Sequence, residues 1–468
     1  MIELQSTRHV TATWLGLLTI ACLFGWPAAK AVPPNIIFVM VDDMGYGDLG
    51  SYGGKEIATP RLDRMATEGL RFTQCYAGSV VCAPSRSVLM TGQHTGHTTV
   101  RGNFGKAGGV VGLGGAKGRV PLRAEDVTVA ELLKKAGYTT ALTGKWGLGE
   151  PNTTGHPNRQ GFDEFFGYLN QRRAHTYYPT FIWRNEEKVE LKGNQDGQRG
   201  EYTHDMFTDF ALRFIRDQKN GPFFLYLAWT VPHGRFEIPS VEPYVGRPWS
   251  DQEKVYAAML ARVDRDMGRI FTLLKVLGID RETVVFFCSD NGAADRYEGR
   301  FDSSGPLRGR KRDVYEGGLR TPMLVRWPGV IRPQQTSDLA WYFADVLPTL
   351  AELGGAEIPG NIDGVSVAPT LRGEKQDLSK RMLYWEYTNK TFQQAARRGD
   401  WKVVRSKRGM VLELYDLSGD VGEQSNVAAK HPEVVADFEK RIASARTPSV
   451  AWPVDGPIAP VPRPGAAR

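Results

Sequence analysis

Cysteine is scarce in this chain, four residues among 468. No two of them stand at zinc-ligand spacing, and four thiols are too few to frame a fold by disulfides. Cys22 lies in the N-terminal leader. Cys75 and Cys288 sit in apolar, strand-like runs and are expected to be buried and inert. An exported protein permits a disulfide between them, and the sequence leaves that pairing open. Long apolar runs are also missing. The strongest, Trp14 to Trp26, is too short for a stable membrane span. It follows Arg8 and runs into Ala29-Lys30-Ala31, a small-x-small cleavage site, so residues 1–31 read as a signal peptide. That reading places the mature chain in the periplasm or outside the cell. Charge of one sign does not accumulate either. The net charge of +7 is modest for this length and does not indicate nucleic acid as a partner. Internal repeats are absent, which excludes solenoids and propellers.

What is present is 41% hydrophobic and 24% charged residues, enough to bury a large core. Four apolar runs stand out: Asn35 to Val41, Tyr138 to Leu142, Phe223 to Ala228 and Thr283 to Phe287. Runs this continuous suit strands covered on both faces, as in a parallel α/β sheet. Helical segments alternate with them. Thr59 is expected to cap a helix that starts at Pro60 and buries Leu62, Met65 and Ala66. Val129 to Ala136 closes at Gly137, and Lys254 to Leu277 carries an apolar stripe at helical spacing. This alternation predicts a doubly wound sheet flanked by helices, whose ligands bind beyond the carboxyl ends of the strands. The four runs end there in Asp42-Asp43, Lys145, His233 and Asp290-Asn291.

Residues 379–446 differ. Short alternating stretches at Met382–Trp385, Trp401–Val404 and Leu412–Tyr415 precede a final helix from about Pro432 to Ala445, which predicts a small antiparallel sheet with a helix. Proline recurs through 447–468, which is expected to be extended or disordered. The expected division is therefore a leader over 1–31, a main domain over 32–378, a smaller α+β unit over 379–446 and the tail.

Cys82-Ala83-Pro84-Ser85-Arg86, followed by Ser87 to Gly92, places a small nucleophile-sized side chain at a helix start. Pro84 suits the first helical position. A group there meets unpaired backbone N–H donors and the positive end of the helix dipole, and Arg86 adds a cation. Such a corner suits attack on a sulfate or phosphate ester. Asp42, Asp43, Asp290 and Asn291 form a second constellation. If their strands are neighbours, three carboxylates and an amide oxygen converge, which is unfavourable without a cation. All-oxygen ligation selects Ca²⁺ or Mg²⁺ over zinc.

The cysteine segment resembles the C-x-P-S-R-x-x-x-(L/M)-T-G signature of the formylglycine-dependent sulfatases of the alkaline-phosphatase-like superfamily. Val41-Asp42-Asp43 and Ser289-Asp290-Asn291-Gly292 are similar to that family's metal motifs. Gly137 to Trp146 looks like its second signature, and Tyr315 to Pro322 like its Y-E-G-G-x-R-x-P stretch. The resemblance extends from about Pro34 to Gly373 and continues through Leu414–Leu417 and Asp420. It implies that Cys82 is oxidised by a maturation enzyme to formylglycine, whose hydrate is the nucleophile. It also implies a Ca²⁺ ion on Asp42, Asp43, Asp290 and Asn291. Lys145, Lys311 and Arg86 are then expected to neutralise the sulfuryl oxygens, and His233 to protonate the leaving alcohol. The implied substrate is an aryl sulfate or a sulfated carbohydrate.

One signature position departs. The family's histidine after Gly-Lys-Trp is Gly147 here, which removes a group expected to help sulfate leave. His94, His97 and His175 are candidates to replace it, with His175 favoured. The segment Gly167 to His175 lies downstream of Lys145, and Gln171, Arg172, Arg173 and His175 are expected to line the substrate rim. Two other readings stand beside the sulfatase: a phosphate or phosphonate ester hydrolase of the same superfamily, and an inactive carbohydrate-binding homologue, for which Gly147 is the best support.

Overall fold

The computed structural model describes residues 33–105, 119–294, 299–388 and 392–454. The leader over 1–31 and the tail from residue 455 lie outside the described residues. In chain order the elements are β1 (Asn35–Asp42), α1 (Pro60–Glu68), β2 (Leu70–Tyr76), α2 (Cys82–Thr91), α3 (Val129–Lys135), β3 (Thr139–Lys145), β4 (Glu164–Tyr168), β5 (Phe181–Arg184) and β6 (Glu187–Glu190). Then come α4 (Thr203–Asp217), β7 (Phe223–Pro232), α5 (Asp251–Val276), β8 (Thr283–Ser289), α6 (Glu316–Leu319), β9 (Arg320–Arg326), β10 (Gln335–Ser337), β11 (Trp341–Tyr342), α7 (Val346–Gly354) and α8 (Ala368–Leu371). The chain closes with β12 (Leu383–Thr388), β13 (Phe392–Arg398), β14 (Trp401–Arg405), β15 (Glu413–Asp416) and α9 (Pro432–Ser444).

Eleven strands form one mixed sheet in the order β10-β2-β9-β8-β1-β7-β3-β4-β5-β6, with β11 pairing β2. Its centre, β8-β1-β7-β3-β4, is parallel, and β9, β5 and β6 run antiparallel to their neighbours. β1 explains why the apolar runs do not alternate. Ile36, Phe38 and Met40 face a core shared with α2, α3 and α7, while Ile37, Val39 and Val41 face one shared with α1, α4 and α5. Both faces of the strand are dry, so every position is apolar. The four polar strand ends consequently meet at one sheet edge, as the alternation predicts.

The small antiparallel sheet β12-β13-β14-β15 has the opposite signature. Leu383 and Trp385 pack into the main core, while Tyr384 packs with Phe438 and Ile442 of α9. One face rests on the large sheet's core and the other on the last helix, which produces the period-2 pattern. Trp385 Nε1 donates to the Ala77 carbonyl at 2.9 Å, just ahead of α2. β13 was not legible as an alternating stretch, because Gln394 and Arg397 are buried in it.

Three further expectations need correction. Thr59 does not cap α1. The N–H groups of Arg61 and Leu62 instead donate to Asp264 Oδ1 of α5, each at 2.8 Å, while Thr59 accepts from Gly50. A tertiary carboxylate has taken the local cap's task. α2 begins at Cys82, two residues before Pro84, because Val81 takes the N-cap position. Finally, the tail does not start as free chain. Thr447 N–H donates to the Gly96 carbonyl at 3.0 Å, and Trp452 is 2% exposed with its Nε1 on the Thr99 carbonyl. An apolar indole with a satisfied N–H outweighs the flanking prolines. Cys75, Cys82 and Cys288 are free thiols. Among the described residues, no helix is long and apolar enough to cross a membrane.

Candidate active site

The site forms where four parallel strands end. β1 delivers Asp42 and Asp43, β8 is followed by Asp290 and Asn291, β3 ends in Lys145 and β7 leads into His233. Asp43 adopts a left-handed backbone, φ 70°, a conformation that is costly for a non-glycine residue and concentrates at functional sites. Gly292 is required by packing: a Cβ there would lie 1.8 Å from the Gly317 carbonyl oxygen. That close approach brings the loop carrying Lys311 onto the β8 end. Lys311 N–H donates to the Ala293 carbonyl at 2.9 Å, and Arg312 N–H to that of Val80 at 3.0 Å.

Cys82 occupies the first position of α2 and is 1% exposed. Its Sγ lies 3.4 Å from Asp42 Oδ1 and 3.5 Å from Lys311 Nζ. Lys145 Nζ donates to Asp42 Oδ2 at 2.5 Å, and Lys311 Nζ to Asp43 Oδ1. His233 Nε2 is 3.2 Å from Asp43 Oδ2. The Asp43 amide donates to Asp290 Oδ1 at 3.3 Å, and Asn291 Nδ2 to Asp43 Oδ1 at 2.7 Å. Asn291 Oδ1 is buried and receives no hydrogen bond. All residues expected at the metal site, together with Cys82, Lys145, His233 and Lys311, are therefore one contiguous cluster.

Arg86 takes a different place from the one expected. It is fully buried, and its Nε and Nη2 donate to Asp290 Oδ2 at 3.2 and 2.9 Å. Nη1 donates to the Lys145 carbonyl at 2.6 Å. Arg86 thus ties the ends of β8 and β3 together behind the carboxylates. The other signature residues have structural tasks. Ser85 Oγ accepts from Gly78 N–H at 3.1 Å, and Gly92, φ 68°, ends α2 by donating to the Val88 carbonyl.

The electrostatics follow from burial and charge. Burial, with the Asp42 carboxylate adding to it, pushes the Cys82 thiol up to about 12, so it is protonated at neutral pH. Burial alone would raise Asp42, but Lys145, His233, Arg86 and Lys311 outweigh it and hold its carboxyl well below the usual range. Asp290 moves the other way, to about 6, through burial and the Asp42 charge. Acidic oxygens packed this closely, beside an acceptor without a donor, make a donor set for a hard cation.

A cavity of about 930 Å³ opens above the cluster, lined by Asp43, His233, Lys311, Arg172, Arg173 and His175 among others. His175 lies against His233, ring centroids 4.2 Å apart, and burial, then His233, pushes it down to about 3. Gln171 does not line the cavity. It is 3% exposed and fills the space above Gly147. His94 and His97 belong elsewhere: both face Asp363, and their rings stack at 4.3 Å. His94 Nδ1 accepts from Gly96 N–H, which leaves Nε2 as the protonated nitrogen and suits it to Asp363 rather than to a metal. Arg119 was missed by the sequence reading. It is 8% exposed, donates to the Asn103 carbonyl and lies 3.6 Å from Glu150. No motif marks it.

The model of the sulfatase family matches residues 34–356, and that of the N-sulphoglucosamine sulphohydrolase C-terminal region matches 309–448. The chain is 34% identical to N-acetylgalactosamine-6-sulfatase of Mus musculus, over 78% of this chain and 72% of that one. It is 34% identical to arylsulfatase A of Homo sapiens, over 87% and 86%. The fold superposes on the crystal structure of Ps i-CgsB in complex with k-i-k-neocarrahexaose with a TM-score of 0.78 and 26% identity, over 90% and 95%. A phosphonate monoester hydrolase of Agrobacterium radiobacter shares the fold at a TM-score of 0.62 and 19% identity, over 88% and 95%. With these relatives and the cluster around Cys82, the chain belongs to the sulfatase family, and it is a sulfuric ester hydrolase.

Proposed function

We propose that the protein hydrolyses the sulfate ester of a saccharide, with residue 82 as nucleophile after a maturation enzyme has oxidised Cys82 to formylglycine. The observation that carries this reading is that Asp42 and Lys311 lie against one buried cysteine, with Lys145, Asp43, Asp290 and Asn291 bonded around them. The unmodified thiol is a poor nucleophile here, and the signature around it is intact. The donor set fits calcium: hard oxygens from Asp42, Asp43 and Asp290, and the Asn291 Oδ1 that lacks a hydrogen bond. Bound by these four residues, calcium supplies the positive charge that keeps the carboxylates ionised and polarises residue 82.

The chain's own groups do the rest. Lys145 and Lys311 flank residue 82 and offset negative charge on the sulfuryl oxygens. The N-terminus of α2 adds partial positive charge at the same point. His233 borders the cavity and delivers a proton to the leaving alcohol oxygen. Arg86 holds Asp290 and the Lys145 carbonyl in register. A saccharide suits the wide cationic cavity and the relatives named for N-acetylgalactosamine 6-sulfate and carrying neocarrahexaose. The signal peptide read over residues 1–31 makes the site of action periplasmic or extracellular.

The test is expression with a formylglycine-generating enzyme, mass spectrometry of the peptide holding residue 82, and turnover of an aryl sulfate beside an aryl phosphate. We expect the aldehyde at residue 82 and preference for the sulfate. A panel of sulfated polysaccharides and their oligosaccharides then identifies the natural ester. Full activity with only unmodified thiol would refute the nucleophile. Preference for the phosphate would favour the phosphate ester hydrolase, and no turnover by the matured protein would favour a binding homologue.

A further inference from the structure

Lys311 and Arg312 share the corner of one tight turn but reach different places. Asp313 N–H donates to the Arg310 carbonyl at 2.9 Å, which closes the turn around them. Lys311 turns inward: its ammonium binds Asp43 and lies 3.5 Å from Cys82 Sγ. Arg312 is exposed and lines the cavity above the reacting cluster.

Arg312 also holds a position that suits another residue. Its φ is 80°, in the third place of the turn, where a type II turn takes glycine. A side chain is disfavoured there, and such backbone concentrates at functional sites. The main chain is clamped on both sides. Arg312 N–H donates to the Val80 carbonyl at 3.0 Å, and its own carbonyl accepts from Gln393 Nε2 of β13 at 3.2 Å. The side chain returns nothing to the fold, because among the described residues its guanidinium forms no ion pair. Five arginine and lysine side chains line the cavity against two carboxylates, Asp43 and Asp251, and Asp43 is already bound by Lys311. The group that would balance Arg312 is therefore negative and comes from outside the chain. A planar guanidinium suits the paired oxygens of a sulfate or a carboxylate.

We propose that Arg312 determines specificity by binding a second oxyanion of the substrate, a sulfate or a carboxylate beside the ester that is cleaved. This rests on the sulfate-ester reading above and narrows it to saccharides that carry at least two negative groups. Lys311 neutralises the ester under attack, while Arg312 selects which ester arrives. A contact made equally in the bound substrate and in the transition state lowers KM and leaves kcat alone.

The test uses matured wild type, Arg312→Gln and Arg312→Gly, with three disaccharides that share the cleaved ester. One has no other charge, one a second sulfate and one a uronic carboxylate. Wild type should prefer a doubly charged disaccharide to the first. In both variants that preference, read as a ratio of kcat/KM values, should fall about tenfold and mostly through KM. The arm that loses more names the second group. Arg312→Gly should fold with an unchanged or higher thermal midpoint, because glycine suits the turn. Wild type without a preference, or variants that keep the wild-type ratio, overturn the inference. So does a loss confined to kcat and equal on all three substrates, which would assign Arg312 to holding Lys311 in place. If Arg312→Gln does not fold, Arg312→Gly carries the comparison. Wild type that cleaves no sulfated saccharide overturns the functional reading itself.

Discussion

Arg86 illustrates how a residue can be legible in type and not in task. The signature marks it, but its guanidinium direction depends on where the ends of β8 and β3 fall, and neither is local to residue 86. A lysine there would lose the fork that spans the Asp290 carboxylate and the Lys145 carbonyl. Arg86→Lys should therefore bind calcium about tenfold more weakly, read by titrating metal into chelated protein. Asp43→Ala should lose both metal and turnover, and excess chelator should abolish wild-type activity until calcium is restored. Metal-free protein with full activity would rule out the cation site. Gln171 poses the reverse difficulty. The sequence puts it beside Arg172 and His175, but only the β3–β4 pairing turns it inward while the other two border the cavity.

His94 gives a pH prediction at the same scale. Burial, opposed in part by Asp363 and reinforced by the nearby His97 and Arg101, pushes its imidazole down to about 4. The unfolded chain takes up a proton near pH 6.5 that the folded protein resists until about pH 4. Stability contributed by the neutral form is thus present above 6.5 and is lost as pH falls through this window, by about 3 kcal/mol. Asp363, held low by His97 and His94 despite burial, acts in the same direction on acidification. Denaturant midpoints at pH 7 and pH 4.5 should differ strongly in wild type and less in His94→Leu. Equal pH dependence in the two proteins would dismiss the assignment.

At the scale of elements, periodicity is legible in the sequence and the cap of α1 is not. The parallel strands and α3, α5 and α9 follow from apolar spacing, because burial on two faces or one stripe writes itself into the sequence. The end of α1 does not. Its first N–H groups are bound by Asp264, about two hundred residues away, while the local threonine serves another turn. Asp264→Ala should cost about 1–2 kcal/mol and fray the first turn of α1, seen as faster hydrogen exchange at Arg61 and Leu62. Unchanged exchange there would show that water caps the helix equally well. β13 failed for a related reason. Gln394 donates to Tyr384 Oη at 2.8 Å, and Arg397 reaches Tyr76 Oη, so two polar residues are at home inside only once their partners arrive.

On the scale of the whole molecule, a buried ionic cluster joins the small sheet to the loop that carries Lys311. Lys402 of β14 lies 2.9 Å from both Glu316 and Glu423, and all three side chains are inaccessible to solvent or nearly so. Burial would raise Glu316, but Lys402, Arg320 and Arg397 outweigh it and hold it down, while burial raises Glu423 to about 7. Removing the shared cation leaves buried Glu423 without its counter-ion and Glu316 with Arg320 at 3.3 Å. Lys402→Met should cost about 3–5 kcal/mol. It should also depress activity in the surviving folded fraction, because Glu316 anchors the segment that begins at Lys311. Loss of stability with full specific activity would mean that the cluster serves the fold alone.

The position of β1 sets the order in which this molecule is able to form. Asn35 Oδ1 accepts from the Phe223 amide 188 residues on, and Asn35 Nδ2 donates to Thr283, 248 residues on. Among the described strands the central one is therefore made first, and it is paired on both sides only when β8 has followed it. For most of synthesis its uninterrupted apolar run has no lawful neighbour, and loop closure over such distances is slow. The expected bottleneck of folding is accordingly that long wait. Shielding residues 35–42 during that wait is thus expected to raise the yield of folded protein.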